Sequence, residues 1–504
     1  MGRVVRNVTR PAAMCSTIAG EAGTSLGAGG TGYDGVDREE HAGDGAVDSK
    51  APVRHQRVYV REPGAGVIRP EGGDPTWIAM LVPHEPDDDP RIRWVSSTCA
   101  ELAPTHVIGA VWRDTHPAVE YDGRVLTERR NLYEISSARA RVAYTLLAGG
   151  VFRGSAERFV QRQGRRPASG TLRKLDHRVG SAARFLATAT YGNLLVDTLS
   201  RAGRALSVPP KVVICHDIYA LLAAPALKKR FGCFVVYDCH EFWPEEDLLA
   251  DGWETGVMTR IERRAIRHAD AVVTVSPPLA DHLRELYSLD NVISVANAEP
   301  LTGGIAPSPP RSPAEPVRFL LQGRVAPGRG IEILMKAWSE IPPSDAVLEL
   351  RCPENAYLSF LRSQFAGALE RGAIVIHPPV RESELVHAAT SADVGIIPYV
   401  GPNLNHLYAC PNKLSQYMHA GLAILANDLV FVGDVVRTYD CGAVYRADEP
   451  STLVAAVRSM ASDRERLVDM KRNAYAAFMS EFNWAAQAVP YRELLADALK
   501  LKRA

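Results

Sequence analysis

The sequence predicts an α/β fold, built as two doubly wound domains that face each other across a cleft. Three observations point there. From Trp77 onward, short apolar runs of strand length alternate with stretches of helical periodicity. Residues 301–316, rich in Gly, Pro and Ser, interrupt that alternation once and read as a linker. In the second half, two turns opened by Gly or Pro feed helices, an arrangement that puts ligand sites at the carboxyl ends of parallel strands.

Residues 1–74 are rich in Gly, Ala, Asp and Arg with little periodicity, so they read as a flexible extension, with a short strand at 57–61. The first domain occupies 75–300. Its strands are expected at 77–82, 106–111, 211–215, 234–237, 271–275 and 292–295, most of them apolar enough for burial on both faces of a parallel sheet. Helices are expected between them at 91–102, 218–230, 255–268 and 278–287. The second domain, 317–504, repeats the pattern with strands at 318–321, 347–350, 374–376, 394–397, 423–425 and 443–445. A last helical stretch runs from Phe482 to Leu499.

Composition bounds the function. With 504 residues, 46% hydrophobic and 23% charged, the chain can bury two substantial cores. Its 58 basic and 58 acidic side chains cancel, so bulk charge gives no case for nucleic acid. The cysteines at 15, 99, 215, 233, 239, 352, 410 and 441 stand singly, without the short paired spacing of a zinc or redox site. No stretch approaches the roughly 20 apolar residues of a membrane span. Residues 1–30 have Ala, Gly, Ser and Thr where a secretory leader has a continuous apolar core. A reduced cytoplasmic protein is the simplest reading.

Two segments carry chemistry. In Pro411-Asn412-Lys413-Leu414-Ser415-Gln416-Tyr417-Met418-His419-Ala420-Gly421-Leu422 the apolar residues fall at helical spacing, Pro411 suits a first helical position and Gly421 a stop. A helix N-terminus with Lys413 on its first turn suits a phosphate or a sugar-nucleotide, although an ordinary crossover helix has the same pattern. In Gln322-Gly323-Arg324-Val325-Ala326-Pro327-Gly328-Arg329-Gly330 a strand end meets a glycine-rich turn before a helix. Gly323 and Gly330 let the backbone approach an anion, and Arg324 and Arg329, five positions apart, can grip a diphosphate from both sides.

In this order, and about ninety residues apart, the two segments resemble the C-terminal half of glycosyltransferase family 4. The likeness extends back through Val235-Val236-Tyr237-Asp238-Cys239-His240-Glu241-Phe242-Trp243-Pro244-Glu245, Ala269-Asp270-Ala271-Val272-Val273-Thr274-Val275-Ser276 and Val295-Ala296-Asn297-Ala298. It covers residues 210–500, and 76–210 more weakly. The resemblance implies the GT-B fold, with two Rossmann-like domains and a final helix that crosses back onto the first. It also implies retaining transfer from a nucleoside diphosphate sugar. On it, Gly323, Arg324, Arg329, Gly330, Pro411, Asn412, Lys413 and Gln416 are the donor-binding candidates. His240 and Glu241, in a segment similar to the family's Asp-x-His-Glu, are the catalytic candidates, and His216 has a secondary claim. A lone histidine is otherwise more often structural.

The sequence departs from the family at two positions. Many members carry two glutamates eight positions apart around the later helix; here they align with Tyr408 and Gln416. Gln416 can bond ribose hydroxyls but is neutral, and Tyr408 cannot stabilise a cationic sugar centre as a carboxylate would. The uncharged run 399–411 is expected to form a loop over the donor sugar through its backbone amides.

Asp87-Asp88-Asp89 contains the Asp-x-Asp pattern of metal-dependent transferases, but its place before Pro90 and a helix favours a helix-start role, so no catalytic metal and no cofactor are expected. Between 152 and 186, nine Lys and Arg stand against Glu157 and Asp176. This is either a solvated basic face or a surface that docks on anionic lipid at the inner face of the plasma membrane.

The implied activity is transfer of a sugar from a nucleoside diphosphate sugar to a glycan or lipid-linked acceptor in cell-surface glycan biosynthesis. Two alternatives stay open, a nucleotide-sugar epimerase on the same two-domain plan and a non-catalytic sugar-nucleotide-binding partner of a transferase.

Overall fold

The computed structural model describes residues 76–112, 116–144, 170–245, 252–302, 305, 311–312, 314–400 and 403–500. The extension at 1–74, the strand at 57–61, much of the linker and the basic residues up to 169 lie outside the described residues.

The first sheet contains β1 (Ile78–Val82), β2 (Thr105–Val111), β3 (Val119–Tyr121), β4 (Val125–Asn131), β5 (Val212–His216), β6 (Phe234–Cys239), β7 (Ala271–Thr274) and β8 (Val292–Ser294). Their order is β3-β4-β2-β1-β5-β6-β7-β8, parallel except where β3 pairs antiparallel with β4. β1 and β5 are buried along their whole length, which is why they read as unbroken apolar runs rather than alternating ones. The β3–β4 hairpin is an addition to the expected strands. Its turn is Asp122-Gly123, with Gly123 at φ +102° and Asp122 Oδ1 accepting from the Val125 amide at 2.8 Å.

The second sheet holds β9 (Val317–Gln322), β10 (Ala346–Arg351), β11 (Ile374–His377), β12 (Val394–Ile397), β13 (Ala423–Asn427) and β14 (Gly442–Tyr445), in the all-parallel order β11-β10-β9-β12-β13-β14. Strand order reverses direction at β1/β5 in one sheet and at β9/β12 in the other. Such switch points open the crevices in which ligands of doubly wound sheets bind.

Helices cover the faces. On the first sheet these include α1 (Pro90–Leu102), α2 (Gly170–Arg204), α3 (Asp217–Phe231), α4 (Gly252–Ala265) and α5 (Pro277–Tyr287). On the second they include α6 (Ile331–Glu340), α7 (Asn412–His419) and α8 (Arg464–Ser480). Glu262 of α4 is buried between the Tyr237 and Tyr287 hydroxyls, which donate to its two oxygens at 2.7 and 2.6 Å.

The chain then returns to the first sheet. Trp484 packs on Trp94 with ring centroids 5.6 Å apart and donates its indole N–H to Thr98 at 2.9 Å. The last described helix, α9 (Val489–Lys500), sends Tyr491, Leu495 and Ala498 into the same core as β1 and α1.

Candidate active site

β5 ends at His216, and register with β6 sets His216 beside Asp238, so the residues after the two strand ends emerge together. His216 Nδ1 and His240 Nε2 lie 3.0 Å apart. The other side of the His240 ring faces carboxylates, with Nδ1 3.2 Å from Asp89 and 3.8 Å from Asp217. Burial opposes charge on His240, but Asp217, Asp89 and Asp238 outweigh it and raise its pKa to about 9. His216 is fully buried, and burial lowers its pKa to about 3. These environments assign the protons. His240 is an imidazolium that donates Nδ1–H to Asp89 and Nε2–H to His216 Nδ1. His216 is neutral with its proton on Nε2, a buried donor with no partner among the described residues.

Behind this pair stands a buried ion pair. The Arg91 guanidinium meets Asp238 at 2.8 Å and also donates to the Val295 carbonyl and to Asn297 Oδ1. Asn297 Nδ2 in turn donates to the Cys410 carbonyl in the second half of the chain. Asp238 is held below the usual carboxylate range because Arg91 and the charged His240 outweigh its burial. His216, Asp238 and His240 bring potential metal-ligand atoms within 4.8 Å of one another. With Arg91 on Asp238 and an imidazolium at 240, that cluster already contains two cations, a poor setting for a third.

The triple-aspartate segment divides its work. Asp89 caps α1, its Oδ1 accepting from the Arg91 amide at 2.9 Å. Asp87 accepts from Arg129 at 3.0 Å.

The glycine-rich turn after β9 approaches the turn after β12. Gly330 has φ +78°, and a Cβ there would sit 2.2 Å from the Pro398 carbonyl oxygen. Gly323 has φ +106°, and a Cβ there would meet the Lys413 ammonium at 3.2 Å. Arg329 and Lys413 both lie over the Tyr399 ring, 5.5 and 5.8 Å from its centroid. Arg329 also acts electrostatically on Glu241 across the cleft. The converging cations are thus Arg329 and Lys413. Arg324 is exposed, with no ion pair among the described residues.

α7 is set by Tyr417, whose hydroxyl accepts from the Gln322 amide at 3.0 Å, and it stops before Gly421 at φ +69°. Pro411 is its extended N-cap, not its first helical residue, which is Asn412. The amide of Gln416 is held between Gln322 at 3.4 Å and Glu299 at 2.9 Å, so a carboxylate does stand here, contributed by Glu299. Sequence reasoning missed Glu299, although it directly follows the family-like segment Val295-Ala296-Asn297-Ala298.

The run 399–411 is not a loop throughout. Asn403 caps a short helix, Leu404–Tyr408, and its Asn405 brackets the catalytic candidates' segment. Asn405 Nδ2 donates to Glu241 at 3.1 Å and its Oδ1 accepts from the Phe242 amide at 3.1 Å. Tyr408 offers its carbonyl to Ser276, at the N-cap of α5, at 2.5 Å.

Two facing doubly wound sheets with a histidine–carboxylate cluster on one and a cationic, glycine-lined turn on the other define the GT-B class, and solved structures agree. Sucrose-phosphate synthase from Thermosynechococcus elongatus superposes with TM-score 0.61 at 14% identity, over 84% of this chain and 100% of that one. HepE of Anabaena, solved with UDP and glucose, gives 0.56 at 11% identity, over 84% and 100%. A UDP-forming trehalose-phosphate synthase from Burkholderia vietnamiensis gives 0.55 at 10% identity, over 85% and 100%. Residues 138–297 match the family described as glycosyl transferase 4-like domain. The chain has the GT-B fold, and residues 138–297 of it carry that domain. No curated protein matches it by sequence.

Proposed function

We propose that the protein transfers a sugar, with retention, from a nucleoside diphosphate sugar to a glycan or lipid-linked acceptor in cell-surface glycan assembly, without a metal. The observation that carries this reading is the convergence of Arg329 and Lys413 over Tyr399 beside Gly323. It gives a diphosphate two cations and a closely approachable backbone, as a leaving group of growing negative charge requires. The Gln416–Glu299 pair offers both a neutral and a charged partner to ribose hydroxyls. The unpartnered Nε2–H of His216 is suited to a sugar hydroxyl.

In the proposed step the bond from the anomeric carbon to the diphosphate oxygen breaks and the acceptor oxygen bonds to that carbon on the same face. The acceptor proton goes to the departing diphosphate. His240, already protonated, contributes positive charge and orientation rather than base catalysis.

The deciding test is release of nucleoside diphosphate from candidate donors, UDP-sugars first, with and without an acceptor panel. Acceptor-dependent release supports transfer. Interconversion of the donor sugar without acceptor supports the epimerase, and donor binding without turnover on any acceptor supports the non-catalytic partner. We place the protein at the cytoplasmic side of a membrane; no described helix is long and apolar enough to cross one.

A further inference from the structure

On the outer side of the first sheet, away from the strand ends, a groove of about 340 Å³ runs between α3 and α4. Its wall is apolar, formed by Leu222, Pro225, Val257 and Ile261, and Arg260 and Arg264 line its edge. On α4, Trp253, Val257 and Ile261 recur every four residues and so form one stripe of the helix. Trp253, at the head of that stripe, is 45% exposed although its ring lies 5.0 Å from Phe185.

Among the described residues of α4 and the end of α3, the exposed charges are basic. Arg260, Arg263, Arg264 and Arg267 are exposed, as are Lys229 and Arg230 at the end of α3, and none forms an ion pair among the described residues. The acidic residues of α4, Glu254 and Glu262, are both buried at 1% exposure, so the exposed face of the helix carries only its cations. Asp270 is already taken by Lys228 at 2.7 Å. In a chain whose total charge is zero, Arg260 and Arg264 on the groove, with four more exposed cations on the same two helices and the turn after α4, are a concentrated field.

We propose that this face docks on an anionic membrane, with a lipid acyl chain entering the groove and its phosphate meeting Arg260 and Arg264. Charge complementarity selects the occupant. An apolar stripe with an aromatic residue at one end and cations along its flanks suits the boundary between headgroups and acyl chains. Each basic residue near such a surface adds to the attraction. A soluble acidic peptide would satisfy the arginines but leave the groove and Trp253 in water. Its arginines lie outside the basic stretch at 152–186, of which Phe185 meets Trp253, and the proposal does not depend on the donor chemistry.

The test is co-sedimentation of the full chain with vesicles of phosphatidylcholine alone and of phosphatidylcholine with about one-third phosphatidylglycerol. Binding should require the anionic lipid, fall steeply with salt, and drop at least about tenfold in Arg260→Glu/Arg264→Glu. Trp253→Ser should weaken it further while leaving the melting temperature and UDP binding unchanged. Equal binding to neutral vesicles would overturn the proposal. So would loss of binding only in Arg165→Glu/Arg166→Glu/Arg173→Glu, or a self-association, abolished by the Arg260/Arg264 pair, in a chain that ignores vesicles. Failure of donor turnover with vesicle binding intact would count against the transferase reading alone.

Discussion

His216 and His240 share one hydrogen bond of 3.0 Å but differ in charge, since three carboxylates outweigh burial at His240 whereas burial outweighs Asp238 at His216. Stability should therefore depend on the two rings in opposite directions. For His240, raised to about 9 from 6.5, the stabilisation is complete below pH 6.5 and lost as pH rises toward 9. For His216, lowered to about 3 from 6.5, the neutral buried ring is favourable above pH 6.5 and stability is lost as pH falls toward 3. The stability gap between the wild type and His240→Asn should shrink by up to about 3 kcal/mol between pH 6.5 and 9, read from denaturant midpoints. A constant gap would mean that His240 is not the charged partner.

Glu262 should act as a separate switch in stability. Burial raises it to about 7 against the two tyrosine bonds, so its contribution is full below pH 4.5 and is lost as pH rises through 7. Glu262→Gln should remove that part of the slope while costing about 1–3 kcal/mol at low pH through impaired tyrosine bonding. Urea titrations at several pH values separate this effect from that of His240, whose window lies higher.

Donor affinity should fall more in Arg329→Ala and Lys413→Ala than in Arg324→Ala. Loss of one charge-assisted bond in a partly enclosed site costs about 1.5–3 kcal/mol, tenfold or more in affinity. Arg329→Lys should be the mildest change at that position, because a point charge can still reach a phosphate. Calorimetric titration with UDP checks all four. Normal affinity in both Arg329→Ala and Lys413→Ala would move the anion site elsewhere.

Gly330→Ala should harm folding and donor binding together. The substitution adds a Cβ 2.2 Å from the Pro398 carbonyl at a φ of +78°, so the two switch-point turns must separate. Left-handed strain alone is worth roughly 1–2 kcal/mol. Gly328→Ala, also at positive φ but with nothing within 4 Å, is the control that isolates the collision.

Chelation should leave activity intact, since the proposed diphosphate charge is met by Arg329, Lys413 and the protonated His240. The check is turnover after EDTA treatment together with metal analysis of the purified chain. Complete loss of activity restored by manganese would return Asp89 or the His216–Asp238–His240 group to the catalytic account.

Parallel strands were readable because burial on both faces leaves runs such as Val394–Ile397 with nothing polar inside them. The β3–β4 hairpin escaped notice even though Asp122-Gly123 is a turn signal, because Val125–Asn131 carries Glu128, Arg129 and Arg130 and does not look like a strand. The nearness of His216 and His240 follows from adjacent strand ends. Arg91 could not be foreseen as the partner of Asp238, which lies 147 positions away and on another element. The same holds for Glu299 beside Gln416. In these cases tertiary packing, rather than local pattern, supplies the charge.

The return of the chain to the first sheet has a consequence for biogenesis. Tyr491, from the α9 helix, reaches Asp238 at 3.5 Å and closes the core that α1 and β1 begin some four hundred residues earlier. On a ribosome the first domain would emerge with its central ion pair open to water and its apolar flank uncovered until the second domain had been made. The nascent first half should therefore need shelter from a chaperone during synthesis, whereas the second domain can assemble its own core as it appears.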